Sequence, residues 1–170
     1  LQLTRHDVFL TPDGRWMVSD FSEDVPGGFN EADGVPDLLG PSLHGANFVG
    51  SLRSAITTAL RPFPHIALLY ATGYAEDLQH MLILKKWLEE NGHTTELASP
   101  SHMRAGWRGA TCFGRRCDAA FRFYPGEWFQ WLENLSDWKR IAPRLPMMNP
   151  LRRLIRQSKR LYAFWRDPSL

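Results

Sequence analysis

The stretch His65-Ile66-Ala67-Leu68-Leu69-Tyr70-Ala71-Thr72-Gly73-Tyr74 decides the fold, together with the helical and extended patterns of residues 75–98. Residues 65–72 form a short, continuous apolar run ending at a glycine, the pattern of a strand covered on both faces. Residues 75–91 then read as a helix: Leu78, Met81, Leu82, Trp87 and Leu88 share a broad apolar face, and Gly92 stands where a helix ends. Thr94–Ala98 supplies the next strand. Strand, glycine turn, helix, glycine cap and strand make a βαβ unit, whose crossover is right-handed and whose ligands sit at the carboxyl ends of the strands. Those ends are Thr72-Gly73-Tyr74 and, after a further strand expected over Ala119–Tyr124, Tyr124-Pro125-Gly126. Gly73 belongs to no G-x-G-x-x-G, so nothing here supports a nicotinamide or flavin site.

Working outward, Ser42 is placed to cap a helix over about 43–60, where Val49, Leu52, Ile56 and Leu60 recur at helical spacing and Pro62 and Pro64 stop the run. Residues 25–42 are rich in Gly, Pro and Asp, a composition that favours turns. Glu127–Leu135 reads as a short helix, and residues 150–165 as a basic amphipathic helix led by Pro150. The expected fold class is α/β: an N-terminal β-hairpin plus a βαβ layer of parallel strands with flanking helices.

A chain of 170 residues, 44% hydrophobic and 22% charged, can bury one sizeable core. Its longest apolar runs fall far short of the roughly 20 residues of a membrane span, and no charged-then-apolar signal opens it, so a cytoplasmic location and no membrane partner are expected. Cys112 and Cys117 are too few for a secreted disulfide framework and lack the second pair of a zinc site. The histidines show no metal-ligand spacing, and His80 reads as a packed or capping residue. Trp107, Trp128, Trp131, Trp138 and Trp165 read more readily as core than as a stacking surface. Because the first residue is Leu1 and a strand comes at once, the chain reads as a piece of something longer.

Charge is unevenly spread. Residues 1–40 hold eight acids against two arginines, whereas residues 139–170 hold nine Lys and Arg against Asp167. An acidic head and a basic tail suit a divalent-metal site and a polyphosphate contact; solvated surface is the plainer reading. Nucleic acid is the weaker reading of the tail, since no base-reading motif accompanies it.

The acidic head reads as a hairpin turning at Thr11-Pro12-Asp13-Gly14. With a four-residue loop, Leu10 faces Arg15 and Arg5 faces Asp20. Strand alternation then puts Arg5, Asp7 and Phe9 on one face with Trp16, Val18, Asp20, Ser22 and Asp24. Opposed Cβ atoms lie about 5 Å apart, a span that carboxylates on both strands can close around Mg²⁺; a bulge would shift this pairing by one residue, and Arg5 with Asp20 could equally be a plain ion pair.

The series Arg5-x-Asp7, Asp13-Gly14, Asp20-x-Ser22-x-Asp24-x-Pro26-Gly27-Gly28-x-x-Glu31 resembles a segment of the glutathionylspermidine synthase-like proteins, the circularly permuted ATP-grasp ligases. The likeness continues through Gly73-Tyr74-Ala75-Glu76-Asp77-Leu78-Gln79-His80, Cys117–Trp128 and Asn149-Pro150 to the helix ending Ser158-Lys159-Arg160-Leu161-Tyr162-Ala163-Phe164-Trp165, in the family's order. The resemblance implies an ATP-dependent carbon–nitrogen ligase that phosphorylates a carboxylate and lets an amine displace the phosphate. It implies Mg²⁺ and ATP, with Asp7, Asp20 and Ser22 as metal ligands and Arg5 as the catalytic residue stabilising anionic oxygens. Lys159 would bind the nucleotide, Gly27 and Gly28 would lie against the acyl group, and Glu76 or Asp77 would attract a cationic amine. Both acids also sit in a first helical turn, where the macrodipole favours carboxylates whatever their role. It further implies three parts: residues 1–40 as metal and substrate hairpin, 41–149 as a pre-ATP-grasp-like α/β domain, and 150–170 as a basic helix leading into a nucleotide-binding lobe, the remainder of the chain and its partner. Asp20 stands where the family has Glu, and Ser22 and Ser158 where it has Asn. These departures leave a second expectation, a non-catalytic relative or binding module with a decayed metal site.

Overall fold

The computed structural model describes residues 2–39 and 50–159. Its centre is a four-stranded, wholly parallel sheet of β3 (His65–Tyr70), β4 (Thr94–Ala98), β8 (Ala119–Phe123) and β9 (Met147–Met148), in spatial order β4-β3-β8-β9. Before it come the hairpin β1 (Arg5–Leu10) and β2 (Trp16–Ser22), then helices α1 (Phe29–Leu39) and α2 (Gly50–Leu60). α3 (Ala75–Glu89) joins β3 to β4, and α4 (Leu135–Ile141) lies between β8 and β9.

The expected mixed α/β architecture is therefore present. β3 reads as an unbroken apolar run because both faces are covered. Ile66, Leu68 and Tyr70 pack with Phe121 and Phe123 against Ile56, Met81, Leu84 and Trp87 of the helices α2 and α3. Ala67, Leu69 and Ala120 face the other way, onto Phe129, Trp138 and Ile141. From β3 the chain steps to β4 through α3 on one face; later it steps from β8 to β9 through α4 on the opposite face. Two steps in opposite directions with the same hand put helices on both faces and leave a crevice where the direction reverses, outside the carboxyl ends of β3 and β8.

Several expectations are corrected. Within residues 25–42 the turn-rich reading gives way to α1, because Phe29 is buried edge-on to His80 and against Trp87, with ring centroids 4.4 and 6.1 Å apart; this packing overrides a helix-poor composition. The helix expected over 127–135 is instead a 3₁₀ segment, Gly126–Trp131, with α4 after it. The basic helix from 150 is 3₁₀ over Leu151–Gln157, and its continuation beyond Lys159 lies outside the described residues, as do residues 43–49 and Ser42 of the expected helix before Pro62. Unforeseen is a small antiparallel meander of β5 (Met103–Gly106), β6 (Gly109–Cys112) and β7 (Arg115–Arg116). Its second turn has Phe113 and Gly114 both at positive φ, 48° and 78°, the primed geometry that matches the strand twist. Of the tryptophans read as core, Trp138 is fully buried, but Trp107 and Trp131 are 87% and 78% exposed; Trp165 lies outside the described residues.

Candidate functional site

The hairpin pairs differently from the simple count. Leu10 faces Trp16 rather than Arg15, and Arg5 faces Ser22 rather than Asp20. A bulge at the Asp7/Val8 step leaves Ser19 as an extra residue, with its hydroxyl donating to the Asp7 carbonyl at 3.1 Å. Asp7 is consequently set directly opposite Asp20. The turn holds five residues, Thr11 to Arg15, rather than four, and so sets Trp16 and Val18 on the far face, opposite Leu10 and Val8. The bulge beyond them returns Asp20 and Ser22, so the charged face carries Arg5, Asp7, Phe9, Met17, Asp20 and Ser22.

Arg5 does not pair across the strands. Its guanidinium forks onto Asp7 of its own strand, Nε to Oδ1 at 2.9 Å and Nη2 to Oδ2 at 3.4 Å. Asp20 instead meets Lys159 from the other end of the chain, Oδ2 to Nζ at 3.2 Å. Arg5, Asp7, Asp20, Ser22 and Lys159 thus share one exposed to half-buried surface. The Arg5 side chain also reaches Gly28, where a Cβ would lie 3.8 Å from Arg5 Cδ, and a cavity of about 200 Å³ opens between Arg5, Gly27, Gly28 and Leu52.

Gly27 and Gly28 serve a packing role that the sequence does not announce. A Cβ on Gly27 would come within 3.2 Å of His80 Nε2, and Gly28, at φ +96°, donates its N–H to the same nitrogen at 3.0 Å. With Nε2 accepting, Nδ1 carries the proton and donates to the Glu76 carbonyl at 3.0 Å. His80 is buried and stacked on Phe123, in keeping with its reading as a packed residue. Glu76 and Asp77 lie one turn earlier on α3; among the described residues neither forms an ion pair with the hairpin.

Burial pushes the Asp77 carboxyl above its usual 3.8, the Glu76 charge adds to this, and His80 and a hydrogen bond at Ala71 oppose it. A raised acid favours the neutral form in the folded state, so this contribution is present below the usual pKa and is lost as pH rises through the raised one. Asp77→Asn is accordingly expected to raise the thermal midpoint near neutrality, with the gain vanishing below 3.8. Thermal unfolding of both proteins across that range reads the difference.

The crevice at the carboxyl ends of β3 and β8 is closed by the segment that leaves the hairpin. Arg122 lies fully buried in the apolar strand β8, and its Nη2 meets Asp24 Oδ1 at 2.7 Å. Its Nε donates to the Asn149 carbonyl at 2.7 Å, and Nη1 donates to the Tyr124 carbonyl. Burial lowers the guanidinium pKa and the Asp24 charge counters it. Asp24 Oδ2 also accepts the Gly126 N–H at 2.9 Å, in the turn that ends β8. Gln157 Oε1 accepts the N–H groups of Glu23 and Asp24 at 3.0 and 2.7 Å, and Asn149 Oδ1 accepts that of Leu3 at 2.8 Å. The hairpin is thereby fastened to the sheet at the switch point. Tyr74, Tyr124 and Trp128 stand at the rim, with both tyrosine rings 5.6 to 6.2 Å from the Trp128 centroid. The missed signal was a lone arginine inside Ala119-Ala120-Phe121-Arg122-Phe123, since a buried charge demands a partner.

Fold and site together define a doubly wound α/β layer whose switch-point crevice is capped by the segment that leaves an acidic hairpin. Neither the protein-family models nor the curated proteins compared with the chain give a match. Among the described residues no three His, Cys, Asp or Glu side chains converge as a metal cage, and no helix is long and apolar enough to cross a membrane.

Proposed function

We propose that the chain is the substrate- and metal-binding part of an ATP-dependent carbon–nitrogen ligase resembling glutathionylspermidine synthase, working with a nucleotide-binding lobe from the remainder of its own chain. The Lys159–Asp20 contact carries this reading. It brings a lysine from the basic end onto the surface that holds Arg5 and Asp7, so the residues given phosphate, metal and transition-state roles by the resemblance meet although they come from opposite ends of the chain.

The donor set suits Mg²⁺. This ion takes one or two carboxylates and fills its other positions with water and substrate phosphates, unlike a metal held in an all-protein cage. Asp7 and Asp20, on opposed positions, would hold it, with the Ser22 hydroxyl on the same face; the bound ion would neutralise the charge of the ATP phosphates. Arg5 binds the negative oxygens that develop on the reacting carboxylate and phosphoryl group, and Lys159 acts as a point charge on the phosphates. Glu76 and Asp77 attract a cationic amine, which displaces the phosphate from the acyl phosphate to form the amide. Gly27 lines the acyl side, whereas the Gly28 N–H is already committed to His80.

A second reading, a binding module without catalysis, is favoured by the pairing of both carboxylates with the chain's own cations, Asp7 with Arg5 and Asp20 with Lys159. Calorimetric titration with ATP, with and without Mg²⁺, separates the two. Removing a direct ligand should cost at least the roughly tenfold that outer-sphere partners cost, so Asp7→Ala and Asp20→Ala are expected to lose the Mg²⁺-dependent heat. Equal Mg²⁺-dependent heats in both variants and the wild type would overturn the metal assignment and leave the binding module.

A further inference from the structure

At the opposite, amino end of the parallel sheet lies a groove of about 920 Å³ that the ligase reading does not use. His65, which opens β3, Asp118, which precedes β8, and Pro146, which precedes β9, stand along it, so it is separated from the switch-point crevice by the length of the strands. Four arginines line it: Arg108 from the β5–β6 turn, Arg116 of β7, Arg140 of α4 and Arg144 just beyond. The one acid lining the groove among the described residues, Asp118, is already engaged at both oxygens, by Arg116 Nε at 3.0 Å and by the His65 N–H at 3.2 Å. Arg108, Arg140 and Arg144 form no ion pair among the described residues. A concave site with this excess of guanidinium selects an anion, and planar forks select phosphate or carboxylate oxygens.

The second feature is Trp107. It stands at the tip of the turn Gly106-Trp107-Arg108-Gly109, on the wall of the same groove, 87% exposed, with the Arg108 guanidinium 4.5 Å from its ring centroid. The turn is built to hold it out. A Cβ on Gly106 would meet the Gly109 carbonyl at 3.1 Å, and Gly109 sits at φ +127°, so both flanking positions need glycine. An indole held in solvent beside a row of arginines offers a stacking face next to phosphate-binding forks. The volume lies within the range of small-ligand sites.

We propose that this groove binds a nucleotide unit, the planar base against Trp107 and the phosphates on Arg116, Arg140 and Arg144. Such a unit comes free or as part of a single-stranded nucleic acid, and the experiment separates the two. Calorimetric titrations in EDTA, which silences the metal site of the hairpin, use ADP, inorganic pyrophosphate and a short oligothymidylate. ADP or the oligomer is expected to bind about tenfold or more tighter than pyrophosphate, because stacking on an aromatic side chain adds to the phosphate contacts. Trp107→Ala and the pair Arg140→Ala/Arg144→Ala should each weaken that binding by about tenfold, while Arg53→Ala, elsewhere on the surface, leaves it unchanged. All these side chains are exposed, so an unaltered thermal midpoint shows that the variants fold. Binding of ADP but not the oligomer identifies a free nucleotide as the ligand; tighter binding of the oligomer, falling with salt, identifies the strand. Absence of binding, pyrophosphate as tight as ADP, or variants equal to the wild type would overturn the proposal. None of these outcomes bears on Mg²⁺ at the hairpin, so the two readings fail independently.

Discussion

Arg122→Ala is expected to destabilise the protein by about 3–5 kcal/mol, the loss expected when one member of a buried ion pair is removed and the other stays buried. Asp24 is only 3% exposed, so water cannot replace the guanidinium, and the Asn149 and Tyr124 carbonyls lose their donors in the same step. With a slope of about 2 kcal/mol per molar urea, the unfolding midpoint should fall by roughly 2 M. Arg122→Met with Asp24→Asn is expected to recover much of this, since it removes both charges and keeps an acceptor for the Gly126 N–H. A single variant Arg122→Ala with an unchanged midpoint would mean that Asp24 finds solvent or another cation. Where the fold survives, the segment from Glu23 to Gly28 should be looser at the crevice, because Arg122 and Gly126 are what Asp24 grips.

Trp138→Ala is expected to cost a similar amount, about 3–5 kcal/mol, for a different reason. Here a large apolar ring leaves a cavity rather than an orphaned charge. Trp138 is 2% exposed, lies edge-on to Phe129 at 4.8 Å between centroids, and donates from Nε1 to the Pro100 carbonyl at 2.9 Å. Trp138→Phe keeps a six-membered ring and should cost less, about 1–3 kcal/mol, from the volume of the lost pyrrole ring together with the lost hydrogen bond, although Asn134 Nδ2 still donates to the Pro100 carbonyl at 3.0 Å. Both variants lose the same hydrogen bond, so the difference between their denaturation midpoints reads the volume contribution. α4 also carries Arg140, and the Asp137 carboxylate accepts the Ala105 N–H of β5 at 3.0 Å, so the Ala variant should weaken nucleotide binding in the amino-end groove as well.

The elements read well from sequence are those whose signal is local and strong. In the run 65–72 the residues Ile66 to Ala71 are buried. Of the face expected on 75–91, Met81, Trp87 and Leu88 are buried, whereas Leu82 is 47% exposed and His80 and Leu84 complete the buried stripe. Thr94–Ala98 appears as a strand with those bounds. α1 was hidden because its own residues are poor helix formers, and what stabilises it is Phe29 seated on α3. The meander was hidden because strands of two to four residues are too short for alternation to show. At the hairpin the sequence put Arg5, Asp7, Asp20 and Ser22 on one face, as the structure does, but assigned them other partners and added Trp16 and Val18. The turn is one residue longer than the count, and Ser19 then adds a second shift beyond it.

What the sequence by itself determined is the set of parts: a parallel α/β layer, an acidic hairpin with its carboxylates on a common face, and a basic tail. Only the tertiary structure decided how they join. Asp7 came to face Asp20 through a bulge, Lys159 reached Asp20, Arg122 took Asp24 as its partner, and the basic residues of α4 converged with Arg116 and Trp107 at the other end of the sheet. The reason is physical. Periodicity is set by a residue's immediate neighbours, whereas the partner of a charge is set by whichever distant segment the packing brings within a few ångströms, and burial makes that partner obligatory.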